Sequence, residues 1–478
     1  MVRISFTSNA CRKARSLITT TQTIKPTSHS TRRGFASVSS TAVTSSSGNR
    51  QHKVVVVGAG SAGLCISHQL LRTGKFATHD IAIIDPAQWH HYQPGWTLVG
   101  AGLKNKEDLK RPVESLLDPK LKFYNTGVNT FSPDQNSVNL SNGDNLTYEQ
   151  LVVAPGIRIN YDSIKGLPEA LANKDSLVSS IYGYETCDKV FRTIEALKKG
   201  NAIFTHPAGV VKCAGAPQKI MWLALDHWTK EGLYNPKPDS KSPSAINITF
   251  ATALPGMFGV PKYSQALNEL RQERNVEGLF QHDLIAIEGN TAVFSNLNTP
   301  PSASENKDQQ VVKRHFDFLH AVPKMGPHPF IATSPLANSA GFVDVDESTL
   351  QHKKYPNVWS AGDASSLPTS KTAAAITGQA PVLVGNLLRT MEGKPVEPEY
   401  NGYTSCPLLT EYGKVMLAEF KYGGVLEETF NKWFGWDQAV PRRAFYHLKK
   451  DFFPWVYYNS MVKGTWAGPK GWIRGSSE

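Results

Sequence analysis

Five cysteines mark the 478-residue chain, at Cys11, Cys65, Cys187, Cys213 and Cys406. They lie far apart, and none makes a CxxC pair or a zinc-finger spacing, so thiol chemistry rather than metal binding is the reading to test. Cys213 follows Lys212 and precedes an Ala-Gly-Ala-Pro turn and a helix-like run, Gln218 to Trp228. A thiol near a helix N-terminus and beside a lysine ionises more easily, and the thiolate is the reactive form. Cys406 sits in Asn401-Gly402-Tyr403-Thr404-Ser405-Cys406-Pro407-Leu408, read as a turn followed by proline. Either cysteine taken alone also suits a small buried hydrophobe. Cys65, inside a helix, and Cys187, in Glu185-Thr186-Cys187-Asp188, keep that packing reading, and His90, His91 and Glu169 have no claim beyond surface or packing roles.

The elements that would position such groups begin with Lys53-Val54-Val55-Val56-Val57, then Gly58-Ala59-Gly60-Ser61-Ala62-Gly63, then Leu64 to Leu71. This is a buried parallel strand, a glycine turn and a helix in order. A second strand, Ile81 to Ile84, ends at Asp85. Gly58 permits the tight turn, Gly60 lets backbone approach a pyrophosphate, and Gly63 allows close helix packing, with Ser61 and Ala62 opening the helix whose N-terminus takes the phosphate. Asp85 is placed to accept hydrogen bonds from ribose hydroxyls.

Leu151-Val152-Val153-Ala154-Pro155-Gly156 is a further buried strand, and Tyr355 to Ser360 is a strand that closes on Ala361-Gly362-Asp363. Together with the Gly58 turn, these segments resemble the FAD domain of the flavin disulfide-reductase superfamily, in which the Gly-Asp carboxylate binds the ribityl chain. The fold expected is α/β, with two dinucleotide-binding, Rossmann-like domains. The FAD domain, 51–164 and 326–400, is split by a second domain, 165–325, and followed by a C-terminal region, 401–478. In the second domain a helix over Tyr184 to Lys199 and a strand over Asn201 to Thr205 are predicted. The next turn, His206 to Pro217, lacks a second GxGxxG and holds Cys213 instead. Asn235 to Ala245 and Thr299 to Gln310 read as surface loops.

Four stretches make the resemblance specific: Val211 to Ile220 around Cys213, Phe258 to Tyr263, Tyr92 to Gly102, and Gly402 to Pro407 around Cys406. They resemble the mitochondrial sulfide:quinone oxidoreductase family, as does Leu367-Pro368-Thr369-Ser370-Lys371-Thr372-Ala373-Ala374-Ala375, which in that family lies against the flavin. Ala364 departs from relatives that carry a non-redox cysteine there. The resemblance implies FAD as cofactor, with contacts from Gln93, Val128, Lys371, Thr372 and Ala373 besides the glycine turn, Asp85, Gly362 and Asp363. It also implies a disulfide between Cys213 and Cys406 that hydrogen sulfide opens. Cys406 would keep the sulfane sulfur for glutathione, sulfite or a similar acceptor, and Cys213 would face the flavin, whose electrons pass to ubiquinone. Two rival readings are a non-pumping NADH:quinone oxidoreductase, which needs the absent second GxGxxG, and a flavin protein that serves partner or membrane binding.

Composition narrows the setting. Hydrophobic residues make up 40% of the chain and charged ones 19%, enough apolar surface to fold. The formal charge of +11 is concentrated at the start: residues 1–50 hold eight Lys/Arg and no acid, leaving 43 basic against 40 acidic residues. No nucleic-acid partner is therefore expected. The Ser/Thr-rich, acid-free opening reads as a mitochondrial transit peptide, with Arg33-Gly34-Phe35-Ala36-Ser37 resembling its cleavage site. No run of 18 apolar residues occurs. Residues 430–473 hold 13 aromatics in 44 positions, with seven Lys/Arg against two acids, which suits peripheral attachment to the inner membrane near the quinone entrance. On that reading, removing the segment should leave flavin reduction by sulfide intact.

Overall fold

The computed structural model describes residues 49–298 and 311–468. The expectations for the transit peptide, for the loop from Thr299 to Gln310 and for Trp472 lie outside these residues. The strand Asn49–Val57 pairs in parallel with Ile81–Ile84 on one side and Asn145–Val153 on the other. Lys122–Tyr124 extends the sheet beyond Ile81–Ile84, and Val358–Ser360 pairs in parallel with the last residues of Asn145–Val153. Two antiparallel strands, Val128–Ser132 and Ser137–Leu140, complete seven. Val54 to Val57 are all buried, as a strand covered on both faces requires.

The chain leaves this layer through Arg158–Asn160 and returns through Lys324–Gly326, which pair antiparallel. Between them stands an all-parallel sheet of five strands, Val178–Ser179, Phe318–His320, Gly200–His206, Ile246–Thr252 and Glu277–Phe280 in spatial order. An antiparallel sheet of three strands, His282–Glu288, Thr291–Asn296 and Val311–His315, adjoins it. The hairpin Thr404–Glu411 and Lys414–Phe420 packs Cys406, Leu408, Met416 and Ala418 into the core of the five-stranded sheet.

Three local expectations change. The helix predicted from Tyr184 spans Cys187–Ala196, because Gly183 turns at φ 102 and the Tyr182 carbonyl is taken by the Tyr161 and Thr186 hydroxyls. Cys406 lies within a strand rather than a turn. Pro407 is tolerated beside it because the hairpin has only two strands and one ladder. The C-terminal aromatics divide between two environments. Helical structure runs from Arg443 to Met461, with wide turns at Leu448–Phe452 and Tyr457–Met461. Phe445, Tyr457, Met461 and Val462 are buried, whereas Phe434 and Trp455 are 60% and 59% exposed.

The burial of these side chains argues against the expectation that this segment can be removed without harm to flavin chemistry. Phe445, Tyr457 and Val462 each contribute about 1.5 to 3 kcal/mol of apolar burial. A chain ending at residue 429 should lose most of its flavin and melt well below the full protein, as flavin absorbance per mole of chain and thermal unfolding would show.

Candidate active site

The glycine turn is built as its sequence requires. Gly58 has φ 102, and a side chain on Gly63 would overlap the Gly58 carbonyl oxygen, so the helix Ser61–Arg72 sits directly on the strand end. Asp85 accepts from the backbone N–H groups of Ala59 and Ala87 at 2.7 and 2.8 Å, which locks the turn to the end of the second strand. Gly60 faces open space, and the helix start has no side-chain cap and no acid in its first turn. Its N–H groups and dipole are left for an anion.

A cavity of about 1750 Å³, open mouth included, starts at this turn. Among the sequence-predicted residues, Gly60, Ser61, Ala62, Gln93, Cys213, Gly362, Asp363, Lys371, Thr372 and Ala373 line it. Gly58, Gly63, Asp85 and Val128 do not. The two glycines shape the turn, and Val128 is buried at the start of the strand Val128–Ser132. Cys406 stands just behind the wall, between Ser405 and Pro407, which line it.

The two sulfur atoms, free thiols here, are 4.0 Å apart. Cys213 ends the loop after Gly200–His206 in a left-handed conformation, φ 54, that costs a non-glycine residue about 1 to 3 kcal/mol. Its N–H donates to the Lys371 carbonyl at 2.8 Å and its carbonyl accepts from Ala216 at 2.7 Å, and these bonds hold the unusual backbone. The Cys406 strand approaches because Gly215 has no side chain; one there would overlap Leu408. The Lys219 ammonium, 2% exposed, donates to Cys213 Sγ at 3.2 Å.

These neighbours separate the two thiols. The hydrogen bond from Cys406, reinforced by Lys219 and Lys449, holds Cys213 well below the ordinary thiol range against the opposing effect of burial. The same hydrogen bond, together with burial, raises Cys406. Cys213 is thus the more acidic thiol of the pair. Burial pushes Cys65 and Cys187 up to about 12, in keeping with packing roles.

Other buried cations face the same space. Lys449 is lowered to about 7 by burial and by Lys219, and donates to the Pro94 carbonyl at 2.8 Å. Lys371 is lowered to about 8 by burial and donates to the Ser365 carbonyl at 2.7 Å. The Asp363 carboxyl is raised by burial and opposed by Lys212 and Lys371. The Ala373–Met391 helix starts at the cavity, capped by Thr372, whose hydroxyl accepts from the Ala375 N–H at 3.0 Å. An open glycine turn, an uncapped helix start, a buried acid and a floor of small residues suit a large planar cofactor with a diphosphate, so the residues present fit FAD.

Sequence reasoning missed Lys219, Lys449, Tyr457 and the part played by His90. His90 donates from Nδ1 to the Ala59 carbonyl at 3.0 Å, so in its neutral form Nε2 accepts the Tyr457 O–H at 2.7 Å. Burial keeps the ring neutral, with its pKa lowered to about 4. Tyr457 in turn accepts from the Ser61 hydroxyl at 2.6 Å. Lys219 lies in the first turn of a helix whose start the sequence marks, but nothing local pairs it with Cys213. The other turn that could take a dinucleotide, after Gly200–His206, is no phosphate cradle: Ala208 donates to Asp283, and the loop runs on to Cys213.

A family profile described as pyridine nucleotide-disulphide oxidoreductase matches residues 52–199. A mitochondrial sulfide:quinone oxidoreductase of Schizosaccharomyces pombe is 46% identical over 444 residues, covering 88% of this chain and 92% of that protein. A protein of the same name from Dictyostelium discoideum is 43% identical, covering 87% of each chain. The crystal structure of the Aquifex aeolicus sulfide:quinone oxidoreductase superposes with a TM-score of 0.67 at 18% identity, over 85% of this chain and 92% of that one, a likeness of fold. With identities above 40% across nearly its whole length, the chain belongs to the mitochondrial sulfide:quinone oxidoreductase family.

Proposed function

We propose that this chain oxidises hydrogen sulfide with the Cys213–Cys406 pair and FAD and delivers the electrons to ubiquinone. The observation that carries the reading is the sulfur pair, Cys213 on the wall of the cavity that begins at the glycine turn and bonded by a buried lysine, with Cys406 directly behind it. FAD would be held by Gly58, Gly60, Ser61, Ala62, Gly63, Gln93, Gly362, Asp363, Lys371, Thr372 and Ala373, with Asp85 and Val128 toward its adenosine end. We assign this work to an FAD domain, 51–164 and 326–400, with 165–325 supplying Cys213 and 401–478 supplying Cys406.

Hydrosulfide attacks Cys406 Sγ of the oxidised pair, the S–S bond breaks, and Cys213 departs as thiolate. Attack in this sense is favoured because the sulfur with the lower pKa leaves faster. Lys219 stabilises the departing charge. Cys406 then carries the persulfide until glutathione, sulfite or a similar nucleophile removes the sulfane sulfur. Re-forming the Cys213–Cys406 bond releases two electrons and the Cys406 proton. Bound FAD supplies the two-electron acceptance and the onward transfer to quinone.

A mitochondrial site fits the names of the relatives, and peripheral attachment to the inner membrane fits the surface of the chain. Val425, Leu426, Trp433, Phe434, Val440 and Trp455 are exposed, and among the described residues no helix is long and apolar enough to cross a membrane. Aromatic rings beside Lys432, Arg442 and Arg443 suit a headgroup boundary.

Anaerobic titration should bleach the flavin with sulfide and not with NADH; the reverse would establish the NADH reading, and no bleaching by either the partner-binding one. Cys213→Ser and Cys406→Ser should each abolish sulfide-dependent quinone reduction. Cys65→Ser and Cys187→Ser should cost at most about 1 to 3 kcal/mol of stability and leave turnover intact.

Lys219→Met should change how Cys213 responds to pH. A thiol whose pKa is depressed stays reactive as pH falls until that pKa is crossed, so removing the lysine moves the loss of reactivity to higher pH. Alkylation of Cys213 near pH 6 should slow about tenfold for each unit by which its pKa rises, measured by mass spectrometry of the modified peptide. An unchanged profile would show that Lys219 does not hold the thiolate.

Replacing Phe434 and Trp455 with serine should weaken binding to cardiolipin-containing liposomes while flavin content and sulfide bleaching persist. Full retention of binding would contradict attachment through this face.

A further inference from the structure

Cys213 and Cys406 come from different elements, and two consecutive residues just before the Ala373–Met391 helix bond one to the Cys213 backbone and the other to the strand that carries Cys406. The Lys371 carbonyl takes the Cys213 N–H at 2.8 Å. The next residue, Thr372, shares a hydroxyl–hydroxyl bond of 2.8 Å with Thr404, two residues before Cys406. Residues two apart on a strand share a face, so Thr404 and Cys406 turn the same way. Thr404 is fully buried.

We infer that Thr404 is a positioning residue that sets where Cys406 stands relative to Cys213; this rests on the reading of that pair as redox-active. A second link runs beside the first. The Gly362 N–H donates to Gln379 Oε1 at 2.7 Å, Gln379 Nε2 donates to the Tyr400 oxygen at 3.1 Å, and Tyr400 donates to the Tyr403 carbonyl at 3.0 Å. The Cys406 strand is therefore tied at two successive residues, 403 and 404, to the helix and to the Gly-Asp turn.

The hydroxyl, and not the shape, of Thr404 carries the first link. Valine would fill the same space and suit a strand, but it would leave the buried Thr372 hydroxyl without the partner that Thr404 provides. The strand would relieve that loss by shifting, and closing the sulfur–sulfur bond, which demands a fixed separation, would suffer more than the free dithiol.

The test is a thiol–disulfide equilibrium on the flavin-containing protein. Each variant is equilibrated anaerobically with defined ratios of oxidised to reduced dithiothreitol, quenched with maleimide, and the Cys213–Cys406 disulfide counted by mass. Wild type should close the bond. Thr404→Val should shift the equilibrium about tenfold toward the dithiol, which for two electrons is about 30 mV. Thr404→Ser should return it to within about twofold of wild type, since the serine hydroxyl can make the same bond. If Thr404→Val yields no folded flavoprotein, Tyr400→Phe, which removes the second link and keeps the ring, should move the equilibrium in the same direction. A wild-type equilibrium in Thr404→Val, or in Tyr400→Phe where that variant takes its place, would overturn the inference, as would Thr404→Ser behaving like Thr404→Val. Failure of the wild-type pair to form a disulfide at any ratio would instead remove the redox reading, and the inference with it.

Discussion

Two sulfur atoms carried 193 residues apart must meet within van der Waals reach at the edge of one cavity, and much of the architecture follows from that contact. Neither cysteine reaches the site by local structure alone. Cys213 arrives on a loop bent into a left-handed conformation, and Cys406 on a hairpin that packs into the core of the five-stranded sheet. The missing side chain at Gly215 sets how closely the two elements approach. Because the Lys371 carbonyl holds the Cys213 amide, the thiolate loop is anchored to the segment between Asp363 and the Ala373–Met391 helix. Cys213 and the glycine turn thus border one cavity, with Cys406 directly behind Cys213, so a cofactor seated on the turn can lie close to the sulfur pair.

The charges around that cavity are unbalanced. Lys219, Lys371 and Lys449 are all buried, and Asp363 is raised by the same desolvation that lowers Lys371 and Lys449. Burying a cation without a full partner costs several kcal/mol, and the fold bears that cost where a negative charge has to form. Cys213, the more acidic of the two thiols, is the group that Lys219 touches. Backbone carbonyls of Pro94 and Ser365 accept from Lys449 and Lys371, whose burial pushes both toward the neutral form. The two thiols, 4.0 Å apart, are shifted in opposite directions, Cys213 down and Cys406 up.

Those features written in contiguous residues were legible in the sequence. The run Val54 to Val57, the turn Gly58 to Gly63 and Asp85 lie close together, and each has a physical duty that restricts its residue type. The same holds for Gly362-Asp363 and for Cys213, whose lysine neighbour and helix start are adjacent in the chain. Pro407 misled the local reading of Cys406, because its effect on a strand depends on whether a second ladder is present, a tertiary fact. Lys219, Thr404, Gln379 and His90 stayed hidden for a related reason. Each is an ordinary residue for its helix or strand, and its partner lies in another element. The C-terminal aromatics posed the opposite difficulty: composition detects rings in number, but burial sorts Tyr457 inward and Trp455 outward two positions away.

The wide turns in that segment explain how the sorting is achieved. Lys449 and Tyr457 both line the cavity, eight residues apart. On a regular helix, eight residues rotate about 80° past two full turns, enough to carry one of them off the wall. The wide turn at Leu448–Phe452 absorbs one extra residue, so the remaining seven come within about 20° of two turns. Lys449 can then project toward the sulfur pair while Tyr457 reaches Ser61, and Trp455 falls on the opposite face, toward solvent. A segment with the composition of a surface attachment thereby also closes the cavity from inside, and the hydrogen bond from Ser61 to Tyr457 joins its position to that of the glycine turn.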